Sequence, residues 1–209
     1  MPDTPPPPAA QQQRSTVTQD LLLDAAEAAL REGGLTACTI QAVAARAGRS
    51  AGSVYRRFGD KDGMIAAVIA RYLDRVVTAN EANFPLLAER FPHLSDRLKA
   101  LVDGAVTAQR RDWRLAQALR EAAAQSDNPA LTAAMQRLNT TVQGLARQTL
   151  NGCATEITHP DKPRAIDFAI LMLGGAMEAV TRADPPMDDA AIKAELYDML
   201  HGYLTRQGA

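Results

Sequence analysis

The stretch Thr39-Ile-Gln-Ala-Val-Ala-Ala-Arg-Ala-Gly-Arg-Ser-Ala-Gly-Ser-Val-Tyr-Arg-Arg-Phe-Gly-Asp-Lys61 carries more information than any other part of this chain. Thr39 offers an N-cap hydroxyl, and Ile40, Val43, Ala44 and Ala47 then recur on one helical face. Gly48 breaks that short helix. Ser50 caps a second, whose inward residues are Val54 and Phe58, and Gly59 ends it. Two short helices joined by a glycine turn make a helix-turn-helix unit. Ala51, Gly52 and Ser53 give the second helix a first turn of small side chains. Such a turn permits close approach to a surface, and its free backbone N–H groups suit phosphate. Arg46, Arg49, Arg56, Arg57 and Lys61 face a single acid, Asp60, over the same span. On a chain of net charge −1 this is a local positive patch, the footprint of a specific nucleic-acid reader. Charge and periodicity alone leave a second reading open, a basic helical hairpin on the surface of an unrelated helical enzyme.

Working outward, Met1–Arg14 is rich in proline and glutamine and reads as a disordered, partly polyproline tail. An arm reaching DNA through Arg14 is the sharper alternative. Val17, Leu21, Leu22, Ala25, Ala26 and Ala29 share one face of a helix closed by Gly33-Gly34. Asp60 caps a longer helix expected from Lys61 to about Asn83, ahead of Pro85. Leu94, Leu98, Leu101, Val102, Ala105 and Val106 mark another helix, and Leu115, Ala116 and Leu119 a separate one from near Asp112. Asn128-Pro129 opens a helix that Gly152 ends, and 153–163 reads as a loop. Arg164–Ala183 is apolar nearly all round, so it needs cover on more than one side. Asp188 and Asp189 start the last helix, with Ile192, Leu196, Met199, Leu200 and Tyr203 as its stripe. No stretch alternates like a strand. The expected fold is all-α, with a tail (1–14), a helix-turn-helix domain (15–62) and a larger helical domain (63–209).

Several functions fall away on composition. Cys38 and Cys153 form no CxxC pair, and His93, His159 and His201 are scattered, so no disulfide framework, metal site or cofactor is expected. No Ser/His/Asp set or phosphate loop is apparent, so no catalytic residue is expected either. Cys38 precedes a helix cap, where a thiolate would be stabilised, but a plain small residue is the preferred reading over a redox switch. The uncharged apolar run Phe168–Met177 is about half the length a bilayer needs, and no signal peptide is seen. A cytoplasmic protein without membrane partners is expected.

The pattern Thr39-Ile40, Val43-Ala44, Ala47-Gly48, Gly52-Ser53-Val54-Tyr55, Phe58 and Lys61 resembles the DNA-binding signature of TetR-family repressors. The resemblance spans about residues 18–70 and extends over the rest only in length and helical pattern. It implies a homodimer that binds a palindromic double-stranded operator and is released by a small-molecule effector. Carried over residue by residue, Thr39 and Gln41 face DNA, the first towards phosphate and the second towards a base. Ala51, Gly52, Ser53, Tyr55, Arg56 and Arg57 form the exposed face of the recognition helix, with Tyr55 and Lys61 as phosphate anchors. Arg49 stands where an apolar residue is common, and Arg57 where an aromatic or histidine is frequent, which leaves open which arginine reads bases. An activator or ligand-independent regulator of the same fold is the alternative, followed by a helical binding protein or enzyme.

The resemblance also implies that the last two helices pair with a second copy. Their surplus apolar surface supports this independently, through Phe168, Leu171, Gly175, Ile192, Leu196, Met199 and Tyr203. An effector cavity is expected to draw on Phe84, Phe91, Trp113, Met135, Phe168 and Met172, each of which serves equally well as plain core. Arg110, Arg111 and Arg114 around Trp113 suggest anion recognition or, more simply, a solvated charged face.

Overall fold

A computed structural model describes residues 8–126, 129–182 and 187–206, and among them every regular element is a helix. In chain order these are α1 (Pro8–Ala37), α2 (Ile40–Arg46), α3 (Ala51–Phe58), α4 (Lys61–Arg90), α5 (Leu94–Gln125), α6 (Pro129–Asn151), α7 (Lys162–Arg182) and α8 (Asp189–Thr205). The chain divides into two compact units, one holding the described residues up to Tyr72 with Arg114–Thr132, the other Leu73–Trp113 with the described residues from Ala133. The expected boundary near residue 62 thus moves into α4, because Met64, Ile65, Val68 and Ile69 are buried with the first unit.

Three expectations change. Residues 1–7 lie outside the described residues, but Pro8–Arg14 continues α1 instead of forming a tail. Alanine and glutamine are good helix formers, and proline is tolerated in a first turn. α4 does not stop at Asn83 but runs through Pro85 to Arg90, and α5 runs unbroken past Asp112. In both places flanking residues are packed on the second unit's core, through Phe84, Leu87 and Val106, and tertiary burial overrides the local break signal.

The first unit is built on α1. Leu22, Leu23, Ala25, Ala26, Ala29 and Leu30 form its inward stripe, whereas Val17 and Leu21 are solvent-exposed. That stripe packs on Ile40, Val43 and Ala44 of α2, with Val54 of α3 and Met64, Val68 and Ile69 of α4 completing the core. One carboxylate sits inside this apolar set. Glu27 is buried and accepts from Arg71 Nε and Nη2 at 2.9 and 2.6 Å, with Arg31 at 3.2 Å. Arg71 also pairs with Asp24 at 2.9 Å, so α1 and α4 are tied by a charge network rather than one bond. Glu27→Gln is expected to lower unfolding free energy by about 2–3 kcal/mol, since charge-assisted hydrogen bonds become neutral while Asp24 still holds Arg71. Urea unfolding of the two proteins checks this; a change below about 0.5 kcal/mol, within the range of ordinary surface substitutions, would remove Glu27 from the ledger of stabilising contacts.

In the second unit Leu94, Leu98, Val102 and Val106 of α5, Ile166 and Ala169 of α7, and Ile192, Leu196, Leu200 and Leu204 of α8 share one core. Asp188 caps α8 by accepting from the Ala191 amide at 2.8 Å, as the paired aspartates lead one to expect. Arg97 is buried here and faces carbonyls, not a carboxylate. It donates to Phe91 and Ala88, both at 2.8 Å, at the end of α4, and to Thr149 at 2.6 Å in the last turn of α6. Gly152 leaves room for it, because a Cβ there would stand 2.6 Å from Arg97 Nη1.

Candidate nucleic-acid interface

The turn between α2 and α3 is set by backbone bonds at the end of α2. The Gly48 amide donates to Ala45 at 3.1 Å and the Arg49 amide to Ala44 at 2.9 Å, the paired bonds of a Schellman motif. Gly48 takes φ 61°, where a side chain would be strained, so glycine is needed at this position. The residue after it usually packs an apolar side chain back on the helix; here it is Arg49, and its side chain is exposed. Thr39 Oγ1 accepts from the Ala42 amide at 3.1 Å and caps α2. Ser50 occupies the cap position of α3 but, against expectation, does not cap it, because its hydroxyl meets that of Ser53 at 3.1 Å instead. The first turn of α3 therefore keeps amides free of any side-chain cap. Asp60 holds the start of α4 by accepting from the Gly63 amide at 2.8 Å.

These locks fix what α3 can show. Val54 is buried and Phe58 half-buried, which turns Gly52, Tyr55 and Arg56 outward; Tyr55 is 50% exposed. Thr39, Gln41 and Arg49 are exposed as well, and Ala51 and Ser53 are half-buried. The structure thus gathers the expected contact residues on α2, α3 and the turn between them.

The five cations of the patch are not equivalent. Arg46 pairs with Glu32, donating through Nη1 at 2.7 Å and through Nη2, and this guanidinium holds the Glu32 carboxyl below the usual carboxylate range. Arg57 is half-buried rather than on the exposed face: Nη1 donates to Ser15 Oγ at 3.4 Å, and Nε is buried without a partner. Lys61 Nζ donates to the Leu35 carbonyl at 2.8 Å, tethering α4 to the end of α1. Arg49 makes only a long contact, 3.4 Å, with the Gly48 carbonyl, and Arg56 has no ion pair or hydrogen bond among the described residues. Cys38 beside this site is fully buried, and burial pushes its thiol up against a smaller opposing pull from Lys61. A thiol kept protonated in this way is a small core residue, not a redox nucleophile.

The sites assigned to the second unit separate in a similar way. Phe168, Leu171 and Met199 are 42%, 59% and 48% exposed, Gly175 is exposed and Tyr203 half-buried. Ile192 and Leu196, expected on the same face, are instead buried in the unit's own core. Helical spacing accounts for the pattern: Ile192, Leu196, Leu200 and Leu204 repeat every fourth residue down the middle of the buried stripe, and Met199 falls at its edge, where it stays exposed. Phe84 and Met172 are partly buried against that core, and Phe91 and Trp113 are half-buried. Phe168 packs on the Tyr203 ring at 5.1 Å and is exposed, unlike the other described residues expected at the cavity; the Met135 side chain lies outside the described residues. Arg110 is paired with Asp189 at 2.8 Å and Arg111 with Asp112 at 2.9 Å, so these two already have carboxylate partners. Among the described residues, no cluster of His, Cys, Asp or Glu is placed to hold a metal ion, and no helix is long and apolar enough to cross a membrane.

Against known families, residues 22–68 match the model for bacterial regulatory proteins of the tetR family. Residues 93–204, more than half the chain, match a tetracyclin repressor-like C-terminal domain. This chain belongs to the tetR family. The second match extends the family to the region where the sequence pattern alone showed only length and helicity. No curated protein matches the chain. Among solved structures, a TetR transcription regulator from Haloarcula marismortui is 21% identical, with TM-score 0.69 over 90% of this chain and 97% of that one. A bacterial regulatory protein in the tetR family from Rhodococcus RHA1 is 20% identical, with TM-score 0.69 over 91% and 98%. SmeT, the repressor of a multidrug efflux pump of Stenotrophomonas maltophilia, is 20% identical, with TM-score 0.64 over 93% of each chain. At these identities the likeness is one of fold. Family membership makes the chain a DNA-binding transcriptional regulator with a helix-turn-helix reader, and dimerisation is general in the family.

Proposed function

We propose that this tetR-family protein is a repressor that binds a palindromic operator as a homodimer and lets go when a small molecule binds the second unit. The observation that carries the reading is the exposed set Thr39, Gln41, Gly52, Tyr55 and Arg56, held on two short helices whose other faces are core. The repressor direction is supported by SmeT, which is described as a repressor. Phe84 and Met172, partly buried against the second unit's core, are the expected cavity residues that remain candidates to meet an apolar effector. α4 belongs to both units and is the natural lever, and a coupling of about 1–3 kcal/mol would change operator occupancy about 5- to 150-fold.

Dimerisation through Phe168, Leu171 and Met199 makes the proposal testable at the protein level. Leu171→Glu places a charge on an exposed apolar face, so the monomer should keep its fold and lose its partner. Removing one buried leucine is worth about 1.5–3 kcal/mol, so the dimer dissociation constant should rise at least about tenfold. Sedimentation velocity reads the dimer, and fluorescence anisotropy on a fragment selected from genomic DNA reads binding across a salt series. The expected result is salt-dependent binding of a two-fold symmetric site by the parent dimer, much weakened in the variant. A parent protein that enriches no fragment, or a variant that still dimerises and binds equally well, would overturn the proposal.

A further inference from the structure

We infer that Arg56 reads a guanine in each operator half-site and that Gly52 leaves the space through which the duplex approaches beside it; this rests on the operator-binding reading above. Elimination points to Arg56 first. Arg46 is held by Glu32, Arg57 by Ser15 and its own burial, and Lys61 by the Leu35 carbonyl. Arg49 stands in the turn before α3, not on that helix, and contacts the Gly48 carbonyl at 3.4 Å. Arg56 alone combines a place on that face with a guanidinium that has no partner among the described residues.

Helix geometry supplies the second argument. A helical side chain leans towards the N-terminus and covers the surface about four residues back, which for Arg56 is Gly52. The fold does not call for glycine there. Gly52 has an ordinary helical backbone, and a Cβ would meet nothing nearer than Ser50 Oγ at 3.8 Å. Even in a first turn glycine is a poorer helix former than alanine, and the space it leaves faces outward, where a surface can approach. The neighbours do not compete for it: Ala51 is short, and the Ser53 hydroxyl is engaged by Ser50. The start of a recognition helix is where base edges lie. Guanine offers two acceptors, N7 and O6, in the major groove, which match the two-pronged guanidinium. The single hydroxyl of Tyr55 suits a phosphate oxygen.

The test selects the best-bound duplex from a random library with the full chain. Each G·C pair of the half-site is then replaced by A·T, and binding is measured for the parent, Arg56→Gln and Arg49→Gln. One replacement should weaken the parent and Arg49→Gln by about 5- to 150-fold. The same replacement should leave Arg56→Gln unaffected or bound more tightly, since glutamine matches adenine. A G·C preference that survives in Arg56→Gln, or one lost in Arg49→Gln, overturns the assignment alone. A parent protein that selects no sequence overturns the operator-binding reading and this assignment with it.

Discussion

Arg97→Met is expected to lower unfolding free energy by about 3–5 kcal/mol, since a buried acceptor left without its donor costs about 1–3 kcal/mol and three are affected together. For a chain of this length that is a fall in Tm on the order of 10 °C. Methionine keeps much of the arginine stem, so the loss isolates the guanidinium. Three carbonyls, those of Ala88, Phe91 and Thr149, would lose their donor inside the second unit. Each closes the end of a helix, where carbonyls lack intrahelical partners and a cation also meets the negative end of the dipole. Arg97→Lys should fall between parent and methionine, because one ammonium cannot span three carbonyls with the geometry of a guanidinium. Gly152→Ala should produce a milder version of the same defect by crowding Arg97 Nη1. Calorimetry on the three variants decides the matter; a methionine variant that melts with the parent would mean that water satisfies these carbonyls equally well.

Gly52→Ala is expected to separate folding from binding. The new methyl has room in the free protein, and alanine is a better helix former by about 1 kcal/mol, so Tm should hold or rise. Against DNA the same methyl meets a packed surface. Overpacking of that kind costs about 1–3 kcal/mol, equivalent to a 5- to 150-fold loss of operator affinity. Thermal unfolding and anisotropy on one preparation give both values. Unchanged affinity would show that α3 does not approach DNA through Gly52; lowered stability would show that the glycine serves the fold after all.

Element identity was legible along the chain wherever the physics is local. Thr39, Gly48, Gly59, Asp60 and Asp188 act on amides and carbonyls within a few residues, and all five appear in the structure at the helix ends where their side chains or lack of one place them. The same is true of the fourfold repeat that buries Val54 and presents Tyr55 and Arg56. Break signals were weaker evidence. Pro85 lies inside α4, and no break separates Leu94 from Leu115, because a helix already packed along one face tolerates a lost bond.

What the sequence by itself determined, then, is the all-helical framework, the helix-turn-helix and which residues its second helix turns outward. Only the tertiary structure decided which cations of the patch already have partners within the chain. Glu32 neutralises Arg46 from 14 residues away, the Leu35 carbonyl holds Lys61 from 26 away, and Ser15 engages Arg57 from 42 away. Ile192 and Leu196 left the expected partner face, and Arg97 gained its role, by the same kind of encounter. A helix period records which residues share a side, but not which distant group that side will meet; Coulomb pairing and burial depend on positions in space that only the folded chain supplies.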